Sequence, residues 1–345
     1  MFDKPDRRGD RDAAVADRLQ IQEFVGVELF EKPILRLLHS RAVAGLFGIF
    51  LNVIVPVFGL VVLGYMISPR LKLDSRTLSR AAYYLFVPAF VFDVMSTTKV
   101  SAALAAGLSA YGIVTAILAA GLGYLIARLL RRDAKTTAAF VLIGVFGNTG
   151  NFGLPMVRFR FPDLPLAVEY STIFFLAILI VSFVVGVAVA NFHKGGVGRA
   201  MLAVVMTPAL LALPPALLVN ALDVALPPFL TRGIQLLAQA MIPVMLIALG
   251  AQLAAAGRPK FSTDLIWASL ARLVGAPLIA LALAAPFGFS GLERAVGVIQ
   301  AAMPTAVLAS IIAVENDLLP DFVISAVLTS TLLSLLTLTI VLAIV

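Results

Sequence analysis

Two short stretches carry most of the chemistry in this chain. The run GVFGNTGNFGLP, residues 144–155, sets four glycines, two asparagines and a proline inside an apolar segment. The run QAAMPTA, residues 300–306, does the same with Gln300, Pro304 and Thr305. Glycine and proline both weaken a helix. Backbone groups freed in a membrane cannot be satisfied by lipid, so such segments lie inside the protein or line a wet cavity. Two interrupted helices at corresponding places are the strongest sequence pointer to a transport site. If the helices break and cross there, half-helix N-termini face the centre and hold a carboxylate with free N–H groups and a partial positive charge. Asn148, Thr149, Asn151, Pro155, Pro304 and Thr305 form the candidate substrate site, with Asn148, Asn151 and Thr305 adding side-chain hydrogen bonds. The plainer alternative is close helix packing by small residues.

Other polar residues are weighed against the same background. Asp93 follows Pro88 by five residues near the end of an apolar segment. It is either a proton- or ion-coupling carboxylate or a solvated group at the interface. Arg272 lies inside another apolar segment; the favoured expectation is that it snorkels to the surface, the other that it attracts an anion. Gln239, Gln252 and Gln300 line a cavity or bridge helices. Glu315, Asn316 and Asp317 are expected to form an ordinary solvated cap. Enzyme chemistry finds no footing. There is no cysteine, and the only histidines, His39 and His193, lie outside the apolar runs, so no metal or haem centre and no cofactor is expected. Neither HExxH nor GxSxG occurs. The net charge of +7 lies in short loops without a basic-aromatic patch, so nucleic acid is not a partner.

The elements that must position these residues are membrane helices. Hydrophobic residues make up 61% and charged residues 13% of the chain, and the mean hydropathy is +1.03. Soluble domains carry about 25% charged residues, so the lipid bilayer is the expected solvent. The apolar runs reach the roughly 20 residues a spanning helix needs and do not alternate as barrel strands would. Ten spans are predicted, near 46–67, 78–97, 102–127, 136–157, 166–190, 201–222, 229–254, 264–286, 292–314 and 321–345. No tail is expected beyond the last, which runs to Val345. Residues 1–45 read as a charged extension, disordered or interfacial, with an amphipathic stretch from Gln22 to Leu38. It is not a secretory signal, and a true start near Val43 is the alternative reading. Basic residues crowd the loops holding Arg70–Arg80, Arg128–Lys135, Lys194–Arg199 and Arg258–Lys260, which are assigned to the cytoplasm. Both ends of the core then lie on the non-cytoplasmic side of a bacterial inner membrane, against the pull of the basic N-terminal extension.

The spans divide five and five, as 46–190 and 201–345, around a central cytoplasmic loop at 191–200. Pro56, Pro88 and Pro155 have counterparts in Pro208, Pro243 and Pro304, each offset by roughly 150 residues, the length of five spans with short loops. Five is odd, so the second half enters with opposite polarity. Inverted repeats are a common plan of secondary transporters.

The run GNTGNFGLP, with AAMPTAVLA later, VPVFGLVVLGY at the start and LDSRTLSRAAYYLFVPAFVF after it, resembles the auxin efflux carrier family, which includes plant PIN proteins and bacterial permeases. The likeness extends from about residue 48 to the end. It implies an all-α integral membrane protein of ten helices in two inverted five-helix repeats, with helices four and nine broken and crossing at Pro155 and Pro304. It also implies a carrier of small organic anions, auxin-like acids or small dicarboxylates. The long central loop of many plant members is missing here, which fits a compact bacterial type. A bile-acid-type sodium symporter and a membrane sensor on a transporter fold are the alternatives, and a homodimer is left open.

Overall fold

The computed structural model describes residues 46–190, 206–256 and 259–345. The N-terminal extension and the central loop at 191–200 lie outside the described residues. The described chain is helical throughout: α1 (Leu46–Leu71), α2 (Ser75–Ser96), α3 (Ala102–Leu129), α4 (Ala134–Val145), α5 (Leu154–Arg160), α6 (Pro165–Ala190), α7 (Pro208–Ala221), α8 (Pro228–Ala256), α9 (Thr263–Ala284), α10 (Gly291–Ala301), α11 (Val307–Glu315) and α12 (Pro320–Ile344). Seven of these, α1, α2, α3, α6, α8, α9 and α12, are long and apolar enough to cross a membrane unbroken. The difference from ten has local causes. The windows predicted at 136–157 and 292–314 are each split in two, and the window at 201–222 is described only from residue 206.

Helix starts follow the local chemistry. Asp74, Ser101, Asp133 and Ser262 each accept a hydrogen bond from a backbone N–H two or three residues on, which satisfies first-turn donors. Bonds from Thr136 hold the Asp133 carboxyl below its ordinary range. Prolines open α6, α7, α8 and α12, where the missing N–H has no acceptor to lose. Inside the spans proline acts differently. Four π-turns, Phe50–Ile54, Ala82–Phe86, Thr149–Gly153 and Ala271–Gly275, each end two residues before a proline: Pro56, Pro88, Pro155 and Pro277. The wider turn relieves the clash of the ring with the preceding turn and keeps the helix continuous.

The helices pack in two groups. α1, α2, α7 and α8 form one; α3, α4, α5, α6, α9, α10, α11 and α12 form the other, around α6. In α6, 61% of the most apolar window is buried, against 28% in α1 and α2, so α6 is central and those two face lipid. In the first group α1 and α8 approach to backbone contact. A Cβ at Gly64 would strike the Ile247 carbonyl, and one at Gly250 would strike that of Val61. Without a hydrophobic drive between helices in lipid, such close approach supplies the dispersion that holds them.

Charged side chains tie loops together. Arg132 pairs with Asp264 at 2.8 Å, Lys135 with Asp317 at 2.6 Å and Lys260 with Asp321 at 2.6 Å, joining the α3–α4, α8–α9 and α11–α12 connections. Asp317 is thus an ion-pair partner, where the sequence suggested only a solvated cap. Near the start of α6, Glu169 accepts from Thr98 Oγ1 at 2.6 Å and from the Lys99 N–H at 3.0 Å. The Asn220 amide donates to the Ser96 and Thr98 carbonyls. Ion pairs this exposed contribute little stability; they hold loops in place.

Gly250→Ala is expected to lower the melting temperature in detergent by several degrees, since overpacking costs about 1–3 kcal/mol. Gly59→Ala, where no neighbour lies within 4 Å, is the control and should match the parent. Equal melting curves for all three proteins would show that the α1–α8 contact is not close-packed.

Candidate functional site

The centre of the molecule is a place where two helices stop, cross and start again. α4 ends at Val145 and α10 at Ala301. The intervening residues pair as a single antiparallel bridge between Gly147 and Thr305. The Asn148 N–H donates to the Pro304 carbonyl at 2.8 Å, and the Ala306 N–H donates to the Phe146 carbonyl at 2.7 Å. Past the bridge the chain becomes helical at once, through the π-turn at Thr149 into α5 and through Ala306 into α11. The two arms break for different reasons. Pro304 has no N–H to return to Gln300, so α10 cannot continue. In the other arm glycine does the work. Pro155 stands in the first turn of α5, two helical turns beyond the bridge, so the crossing lies at Gly147 and Thr305 and not at both prolines.

Arg272 sits at the middle of this crossing. It is 3% exposed and does not reach the surface, contrary to the snorkelling expected of it. Its Nε donates to the Met303 carbonyl, Nη1 to Gly144 and Nη2 to Ala301, each at 2.8 Å. One guanidinium thus closes the open C-terminal ends of α4 and α10 together. Its depth was the signal that sequence reading passed over. Nine residues separate Arg272 from Thr263 at the start of α9, about 14 Å at 1.5 Å per residue, too far for an arginine side chain to regain water.

Further polar groups complete the frame, most of them serines that sequence reasoning did not single out. Ser182 on α6 donates to the Val145 carbonyl at 3.0 Å. Ser330 on α12 accepts from the Thr305 N–H at 3.1 Å. Gln300 is fully buried, and its amide nitrogen donates to the Ser171 carbonyl at 3.3 Å and to the Ser171 hydroxyl. A hydroxyl in an apolar helix carries no signal until its neighbour is known.

The predicted site residues divide accordingly. Asn148, Thr149, Pro304 and Thr305 are buried together at the bridge, and Asn151 is half-buried in the π-turn. Asn148 Nδ2, Thr305 Oγ1 and Gln300 Oε1 are buried without a protein partner. Beside them Thr115, Thr149, Arg272 and Gln300 help line a cavity of about 10 Å³, room for about one water. Asp93 is elsewhere: it is half-buried on α2, its backbone carbonyl accepts from Ser96 and Thr97, and Arg158 on α5 is its electrostatic neighbour. Gln239 is exposed on α8. Gln252 bridges α8 to α2 through Ser79 Oγ at 2.7 Å. Among the described residues no cluster of His, Asp and Glu could hold a metal ion.

A family model described as "Membrane transport protein" matches residues 49–192 and 197–342. The chain belongs to this family, that of the auxin efflux carriers. Among its relatives, an uncharacterized transporter of Methanothermobacter thermautotrophicus is 28% identical over 83% of this chain and 95% of its own length. A Rhizobium meliloti protein provisionally named a malonate transporter is 26% identical over 84% of this chain and 93% of its own. The residues matched by the family model include both broken segments, 144–155 and 300–306.

Two glycines of the 144–155 motif have a steric task in this transporter. A Cβ at Gly147 would strike Arg272 Nη2, and one at Gly153 would strike Gln300 Oε1. Gly147→Ala is therefore expected to displace the guanidinium from its carbonyls, at a cost of about 1–3 kcal/mol, and to abolish transport. Gly233→Ala, in open space, should do neither. A Gly147→Ala protein with unchanged melting temperature and unchanged uptake would refute the contact.

Proposed function

We propose that the protein is a secondary carrier of small organic anions, such as auxin-like acids, malonate or malate, working by alternating access around the crossover. The observation that carries this reading is the backbone pairing of two interrupted helices through Asn148–Pro304 and Ala306–Phe146. Because helix resumes immediately after the bridge, the first N–H groups of both resumed segments collect beside it, without intrahelical acceptors. Each N-terminus carries about +0.5 elementary charge, so two together match one carboxylate. Asn148 Nδ2 and Thr305 Oγ1, buried and without protein partners, supply further polar contacts. The relative named a malonate transporter supports a carboxylate cargo.

In this reading the twelve segments form ten spans, α4–α5 and α10–α11 counting as one each, in two inverted repeats over 46–190 and 201–345. The packing supports it, since the first two spans of each half, α1 with α2 and α7 with α8, fall in one group and the remainder in the other. The carrier sits in the bacterial inner membrane with both core ends outside. Asp93, near Arg158, is the proposed proton-coupling carboxylate.

Uptake of labelled malonate, malate and an indole acid into proteoliposomes tests the proposal. Saturable uptake is expected, with Asn148→Ala and Thr305→Val each weakening apparent affinity. Hydrogen bonds to charged groups contribute about 1.5–3 kcal/mol, roughly ten- to hundredfold. No uptake of any acid under any ion gradient, or wild-type affinity in both variants, would sink it.

A further inference from the structure

We propose that Arg272 is the resident cation of the crossover: its guanidinium fills the place at which a carrier of this plan would bind a coupling sodium ion, and the transport cycle therefore needs none. The inference rests on the carrier reading for its transport consequence, but its structural part stands on the geometry alone.

Carbonyls of unwound backbone and the C-terminal ends of half-helices are the groups with which secondary carriers coordinate sodium at the midplane. Here the carbonyls of Gly144, Ala301 and Met303 are of that kind, two near the end of a half-helix and one just beyond it, and all three are taken by one side chain. The charges also balance. Each half-helix C-terminus carries about −0.5 elementary charge, so α4 and α10 together present roughly −1, and the guanidinium supplies +1. That balance explains how a buried arginine stands with no ion pair to an acidic side chain among the described residues. A free sodium ion in the same place would add a second positive charge against the first, with its ligands already occupied. Gly147 must lack a side chain for the guanidinium to fit, so the site is shaped for arginine. Ser182 takes the neighbouring Val145 carbonyl, so a second C-terminal carbonyl of α4 also accepts from a side chain.

The transport consequence is that a carboxylate crosses without sodium. An anion moving without a balancing cation shifts net charge, so the membrane potential or a proton sets its direction.

The test has two arms. In the first, the melting temperature of purified wild-type protein is measured in sodium, potassium and choline chloride at equal ionic strength; the three values should coincide. Arg272→Ala should melt several degrees lower and regain part of the loss when guanidinium is added at low millimolar concentration, well below denaturing levels. Where Arg272→Ala does not fold, Arg272→Lys, which keeps one charge at a single point, should fold with reduced stability and remain indifferent to sodium. In the second arm, malonate uptake into proteoliposomes should be equal in sodium and choline and should respond to an imposed potential. A wild-type protein stabilised by sodium over choline, an Arg272→Ala protein as stable as the parent, or uptake that requires sodium would each overturn the inference. If no acid is carried at all, the carrier reading fails, and the melting arm still decides whether Arg272 fills the cation place.

Discussion

The fold depends on closing two broken helix ends inside a membrane. A helix leaves its last carbonyls without intrahelical donors, and in lipid each unsatisfied group costs several kcal/mol. α4 and α10 both stop in mid-span, so the cost falls on the same small region twice. A neutral hydroxyl closes one carbonyl, as Ser182 does for Val145. It cannot close three carbonyls from two helices. The planar fork of arginine can, and it brings the positive charge that two helix C-termini attract. Its own desolvation, which would be prohibitive for an isolated buried charge, is offset by the ends it closes. The placement of Arg272 has a local cause as well. It lies in the π-turn Ala271–Gly275, made necessary by Pro277, and a wider turn shifts which face of α9 its side chains present.

Sequence reading reached different depths at different residues. The broken segments were legible because Gly144, Gly147, Gly150 and Pro304 are poor helix formers inside apolar runs, and this conflict between pattern and propensity is local. The burial of Asn148, Thr149 and Thr305 followed from it. What propensity cannot say is where along a weak stretch the helix gives way. Pro155 looked like the break, yet a proline is comfortable in a first turn, and a π-turn accommodates it. Gly147, eight residues before it, does the breaking. Arg272 was misjudged because a lone arginine in an apolar run has two physically sound fates, and the choice depends on carbonyls more than a hundred residues away in sequence for α4 and about thirty for α10. Hydropathy has the same limit: it averages over a window and does not register that the helix inside it has stopped.

The polar contacts also divide the molecule mechanically. Arg272, Gln300, Ser182, Ser330 and the Tyr111 hydroxyl, which donates to the Ala280 carbonyl at 2.7 Å, all join helices within the group around α6. Gln252 with Ser79 and Asn220 with the end of α2 stay within the other group. Between the groups the buried contact is apolar, with Phe58 of α1 meeting Phe152 edge-on at 4.8 Å beside Val57, Leu154 and Met156. Hydrogen bonds inside a membrane fix one geometry, because breaking them leaves groups that lipid cannot satisfy. Apolar surfaces fix none, since a side chain that leaves one apolar neighbour meets another, or lipid, at little cost. Wiring of this kind fixes geometry within each group and leaves the apolar surface between them as the place where the proposed alternating access would displace one group against the other. The body around α6 would carry the bridge, its N-termini and the clamped C-termini as one unit. The charge balance at Arg272 would travel unchanged with it, so the cation would need no solvent on either side, and only the anion-facing end would have to meet water.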